Sequence, residues 1–184
     1  MSSMLGSGLQ VSTKSVRNSI KLFDNQALSD VQIKLRDGER IFGHKQILAQ
    51  QSEWFFRAFN GNFPVASSKE ICLDDEDDDP KAVRAMIRHI YDPEDTVYPS
   101  TTCPSFVPPE MMSQVNVFAA ADKYDVPSLR VLVISVFTRS MEHKWQNNPQ
   151  EFCAVIQRLC GPTAVRFADP SLQISAASFC SEHI

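Results

Sequence analysis

The stretch Ser29-Asp30-Val31-Gln32-Ile33-Lys34-Leu35-Arg36-Asp37-Gly38-Glu39-Arg40-Ile41-Phe42-Gly43-His44-Lys45-Gln46-Ile47-Leu48-Ala49 decides the fold. Val31 to Leu35 is a strict apolar/polar alternation, and a period of two puts Val31, Ile33 and Leu35 on one face of a strand. Asp37-Gly38 is a hairpin turn signal, so Ile41-Phe42 lies on the returning strand. One face of this hairpin must be covered, and the next residues supply the cover. Ile47-Leu48 sits in a short helix. Ser52 then caps a second helix, Glu53-Trp54-Phe55-Phe56-Arg57-Ala58-Phe59, which Gly61-Asn62 ends.

Further on, Glu70-Ile71-Cys72-Leu73 reads as a third strand that runs into the acidic stretch Asp74 to Asp79. Pro80 takes a first helical position, followed by Ala82, Val83, Met86, Ile87, Ile90 and Tyr91 at helical spacing. Residues 93–109 carry five prolines and form a surface loop. Helix resumes at Val115, Phe118, Ala119 and Ala120 and ends near Tyr124. Asp125 as cap and Pro127 in the first turn start the next helix. Its body, Leu129 to Phe137, has strand propensity, but its neighbours offer no sheet. Two amphipathic helices follow, one on Phe152, Val155, Ile156 and Leu159, the other after Asp169-Pro170 on Leu172, Ala176 and Phe179. At the other end, residues 1–12 form a flexible arm, and Val16, Ile20 and Phe23 share a face of an N-terminal helix over 13–25. The expected core gathers Val31, Ile33, Phe42, Leu48, Phe56, Ile71, Met86, Ile87, Phe118 and Leu132.

Composition narrows the function. At 184 residues the chain suits one domain with an extension, large enough to bury a core without staples. With 18 basic against 22 acidic residues it has no general attraction for nucleic acid or anionic lipid. No apolar run reaches the ~20 residues of a membrane span, so the chain reads as soluble and intracellular, in cytoplasm or nucleus. Five scattered cysteines, none in a C-x-x-C pair, read as buried or half-buried reduced thiols, and the seven-residue spacing of Cys153 and Cys160 suits a core face. The four histidines show no zinc spacing, and His44 reads as a structural hydrogen-bonding group at a helix start. Asp30 reads as a cap or acceptor. The acidic run lacks the central glycine and distant glutamate of a calcium loop and reads as a solvated loop with Asp79 at a helix N-terminus. No catalytic constellation, phosphate-binding loop or dinucleotide signature is present. These residues predict no catalytic, metal, cofactor or small-molecule site.

The ordered fragments resemble the BTB/POZ domain. They are Ser29-Asp30-Val31, Asp37-Gly38, Phe42 to Ala49, Ser52, Phe55 to Phe59, Glu70 to Asp75, His89-Ile90-Tyr91, Ala119 to Tyr124, and Leu129. The acidic run and the stretch from Ala121 to Pro127 are most similar to short BTB proteins of filamentous fungi with helical tails. The resemblance implies an α+β fold, a small three-stranded sheet with a hairpin under a helical cluster. It assigns residues 26–137 to the BTB/POZ domain and 138–184 to a C-terminal helical extension. The implied function is non-catalytic protein–protein interaction by self- or hetero-association. Adaptor of a cullin-type ubiquitin ligase is the alternative, and a small enzyme the remote one. Implied partner contacts are Val16, Ile20 and Phe23 at a homodimer seam, and Phe63, Pro64 and Tyr124 at a cullin face. Cullin-binding relatives tend to place a glutamate two positions after the apolar anchor. Here Phe63-Pro64-Val65 has no acid in that place, so cullin binding is expected to be weak or absent.

Overall fold

The computed structural model describes residues 19–62, 64–93 and 110–183. Strand β1, Val31–Leu35, buries every second side chain, as its alternation requires. Strand β2, Arg40–Gly43, returns antiparallel, with Val31 opposite Gly43 and Ile33 opposite Ile41. The reversal places Gly38 at φ +88°, a left-handed value that a Cβ would oppose. Strand β3, Glu70–Leu73, pairs parallel to the far side of β1, giving the order β2-β1-β3.

A parallel partner needs a crossover, and three helices provide it: α1 (Lys45–Gln51), α2 (Glu53–Asn60) and α3 (Pro64–Ser67). Gly43 has the closest fit at this junction. A Cβ there would come within 3.0 Å of Val31 and 3.3 Å of Leu48. Helix α4, Pro80–Tyr91, starts as expected, with Asp79 accepting from the Lys81 and Ala82 amides. Helices α5 (Met111–Lys123), α6 (Pro127–Asn147), α7 (Pro149–Cys160) and α8 (Ser171–His183) complete the cluster. The β-branched run is indeed helical. Leu129, Val133, Val136, Phe137 and Met141 recur at helical spacing and are fully buried, so tertiary packing overrides strand propensity. The core continues without a break into Phe152, Val155, Leu159, Leu172, Ala176 and Phe179, and the boundary placed after residue 137 falls inside α6.

Several expectations are corrected. Phe42 is half-buried because it pairs with Gln32 on the outer sheet face, and Ile41 points inward instead. Phe56 is 48% exposed, since the inward face of α2 is that of Phe55 and Phe59. Leu132 is half-buried beside the inward Val133. Asp125 does not cap α6. It sits at φ +47°, and its carboxylate instead accepts from Arg130 at 3.2 Å. Cys180 is half-buried as expected, but Cys72 is exposed because Ile71 and Leu73 take the inward face of β3, and Cys153 and Cys160 are exposed because Phe152, Val155 and Leu159 take the inward side of α7. Of the helix expected over 13–25, the described part is a 3-10 turn, Ile20–Leu22, ended by extended Phe23 and left-handed Asp24. Val16, most of the proline-rich loop and Cys103 lie outside the described residues.

Both histidine partners of the helical layer are structural. His44 contacts the Tyr91 hydroxyl through Nδ1 (2.9 Å) and the Ala27 carbonyl through Nε2 (2.8 Å), as a structural role requires. His89 is buried, with Nε2 3.0 Å from Ser128 Oγ. Burial lowers the His89 pKa, and the negative charge of Asp92 offsets this only in part. The folded chain therefore prefers neutral His89, whereas the unfolded chain takes up the proton near the ordinary value of about 6.5. This contribution is complete above about pH 6.5 and is lost as pH falls towards the lower folded value, with a slope limited to about 1.4 kcal/mol per pH unit for one proton. Urea unfolding between pH 5 and 7.5 should show that loss, and His89→Gln should flatten it.

Candidate interaction groove

Helix α2 presents Trp54 and Ala58, one turn apart, to an open groove of about 1,210 Å³. Pro64 and Val65 of α3 and Ile71 and Cys72 of β3 continue the same wall. Opposite them stand the end of α5, the start of α6 and the segment Ala168-Asp169-Pro170 that leads into α8. Apolar side chains of α2, α3 and β3 and charged side chains such as Lys123, Asp125 and Arg130 line it together, a mixture in keeping with a protein-binding face.

Trp54 is fixed by two edge-to-face contacts, to Phe55 (centroids 5.1 Å) and to Tyr124 (4.9 Å). Ser52 locks α2 to the end of α5. Its hydroxyl accepts from the Phe55 amide at 3.1 Å, as an N-cap should, and donates to the Tyr124 carbonyl at 2.6 Å. Beneath this corner lies Asp78, 3% exposed and thus no part of a solvated loop. Tyr124 donates its hydroxyl to Asp78 at 2.6 Å, and Lys123 reaches the same carboxylate at 3.0 Å and Asp75 at 2.7 Å. Burial first, then the bond to Asp78, drives the Tyr124 hydroxyl far above its ordinary pKa. Burial disfavours the Lys123 ammonium, but hydrogen bonds to Asp75 and Asp78 outweigh it and raise its pKa.

The opposite wall is held by a second ionic cluster. Asp122 accepts from the Ala168 and Asp169 amides at 2.7 and 3.0 Å. Arg130 spans Asp122, Asp125 and Asp169 at 3.7, 3.2 and 3.3 Å. The side-chain and backbone donors of Ser171 hold the Asp169 carboxyl below its ordinary pKa. The segment at 168–170 is thereby clamped to the α5–α6 corner.

The sequence-predicted contacts fall in two places. Pro64 stands on the groove wall, while Phe63 is outside the described residues. Tyr124 is 2% exposed, so it supports the groove from below instead of contacting a partner directly. Ile20 is half-buried at the N-terminal turn. Phe23 packs on Tyr91 (5.8 Å) with Arg84 over its ring (5.5 Å), so its own domain covers much of it. Sequence reasoning missed Trp54, Asp78, Asp122 and Arg130. Among the described residues no cluster of His, Cys, Asp and Glu is arranged to hold a metal ion, and no helix is long and apolar enough to cross a membrane.

Comparison with known proteins accords with this architecture. The BTB/POZ domain family model matches residues 20–140. The BTB/POZ and MATH domain-containing protein 5 of Arabidopsis thaliana is 33% identical over 130 residues, covering 67% of this chain and 30% of that protein. The Kelch repeat protein M-T9 of Myxoma virus (strain Lausanne) is 36% identical over 75 residues, 41% of this chain and 14% of that protein. The chain thus spans less than a third of either relative. The BTB (Tramtrack and Bric a brac) domain of human Gigaxonin superposes with a TM-score of 0.50 at 23% identity, covering 73% of this chain and 98% of that domain.

Proposed function

The chain belongs to the BTB/POZ domain family, a family of interaction modules, and we propose that it works as a non-catalytic protein-binding module. The family match over 20–140 carries this reading, and the groove with its mixed apolar and charged lining supports it. In this reading residues 26–137 are the BTB/POZ module and 138–184 a helical extension, supported by α7 and α8 lying beyond the matched region. Its acidic run and its Ala121–Pro127 stretch support a kinship with the short BTB proteins of filamentous fungi. Its place of work is the cytoplasm or nucleus. Its ligands are proteins, not nucleic acid, membrane or small molecules.

Self-association through the N-terminal segment is the first activity to test. Val16 and Ile20 would carry the seam, because Phe23 is engaged by Tyr91 and Arg84. A stable two-fold seam buries about 1,600 Å² and uses the same patch on both subunits. Light scattering at tens of micromolar should give twice the chain mass. Ile20→Asp should return it to the chain mass with unchanged circular dichroism. A monomer in the unmodified protein ends the homodimer reading.

The cullin-adaptor reading rests on Phe63-Pro64, which places an aromatic residue beside a groove-wall proline. Val65 cannot accept the hydrogen bond that a carboxylate would. Loss of one charge-assisted bond costs about 1.5–3 kcal/mol, roughly 10- to 150-fold in affinity. Calorimetric titration with a cullin N-terminal region should therefore give weak or no binding. Submicromolar binding that Phe63→Ala abolishes would make the adaptor reading the leading one.

A further inference from the structure

Three thiols converge on one small surface pocket outside the family-matched region. Cys153 and Cys160 on α7 and Cys180 on α8 line it together with Phe152, Ile156 and Gly161, around about 300 Å³ of largely apolar space. Cys153 and Cys160 are exposed and Cys180 is half-buried. Burial, then the neighbouring Cys160 and Cys153, raises the Cys180 pKa. The two helices are firmly seated, with the Phe152 and Phe179 rings 5.9 Å apart and Gln173 donating to the Leu159 carbonyl at 2.9 Å. Seven residues of helix separate Cys153 from Cys160 by about 10 Å at ~1.5 Å per residue, beyond the ~7 Å Cα limit of a disulfide. Those two cannot join each other while α7 is intact. The facing thiol is Cys180.

We propose that this pocket is a thiol-oxidation site at which a hydroperoxide couples Cys180 to an α7 cysteine. The exposed α7 sulfur attacks the hydroperoxide, the O–O bond breaks, an S–O bond forms, and water or an alcohol leaves. Cys180 sulfur then displaces the sulfenic oxygen. The S–S bond forms as the S–O bond breaks, and the departing hydroxide takes the Cys180 proton to leave as water. Two thiols are oxidised by two electrons and one hydroperoxide is reduced. The remaining α7 thiol stays reduced beside the disulfide, placed to exchange with it.

The test exposes the full chain to hydrogen peroxide and titrates its thiols after denaturation. Two of the five thiols should disappear without a covalent dimer on a non-reducing gel. Peptide mapping should find Cys180 linked to Cys153 or Cys160. Cys180→Ser should abolish that link and leave an α7 sulfenic acid that dimedone traps. Retention of all five thiols, linkage through Cys72 or Cys103 instead, or the same thiol loss in Cys180→Ser would overturn the proposal. The map of the unmodified chain decides even where the variant folds poorly.

Discussion

Phe55→Ala is expected to lower the unfolding free energy by about 3–5 kcal/mol, whereas Phe56→Ala should cost less than about 1 kcal/mol. The residues are adjacent and chemically identical, yet helical phase separates them. Phe55 is fully buried, stacks on Phe59 at 5.7 Å and Tyr124 at 6.3 Å, and meets the edge of Trp54. Truncation would leave a cavity bounded by three aromatic rings, which cannot collapse without dismantling the groove wall. Phe56, 48% exposed, would surrender little buried surface. Paired urea denaturation of the two variants checks this. Equal costs would mean that α2 is rotated from the phase described.

What was legible in the sequence follows from the range of the interactions. β1 is specified by its own alternation, the hairpin by Asp37-Gly38, and the N-caps at Ser52 and Asp79 by side-chain oxygen acceptors just before apolar runs. The motif order was enough to reach the family. The groove is a different matter. Its far wall exists because Asp122 binds amides 46 and 47 residues later, and Trp54 is backed by Tyr124 because that residue meets Asp78 across 46 residues. Within Asp74 to Asp79 every side chain has much the same chemistry, so no local pattern distinguishes the buried carboxylate from its solvated neighbours. Trp54 carried a weak signal that was available, an aromatic residue one turn before Ala58 on a short amphipathic helix. The exposure of the α7 thiols is hidden from the sequence for a related reason. A seven-residue spacing fixes a shared face but not which face is inward, and Phe152, Val155 and Leu159 settle that.

Asp78→Ala is the second large effect, expected to cost about 3 kcal/mol or more. The substitution removes a carboxylate that receives the Tyr124 hydroxyl at 2.6 Å and the Lys123 ammonium at 3.0 Å. The Tyr124 hydroxyl would then lie buried without an acceptor, and that stranded donor is expected to account for much of the loss. Tyr124→Phe alone should cost about 1.5–3 kcal/mol, since it deprives Asp78 of its shortest bond while Lys123 and the Asp75 amide remain as partners. Combining the two separates the bond from its surroundings. The double variant has neither an unpaired hydroxyl nor an unpaired carboxylate, so its cost should fall below the sum of the single costs by about 1.5–3 kcal/mol. Additive costs would show that the two groups act independently, and that Asp78 acts through Lys123 and the Asp75 amide instead. Asp77→Ala provides the control within the same run. Asp77 is exposed, and its loss should change stability by about 0.5 kcal/mol or less.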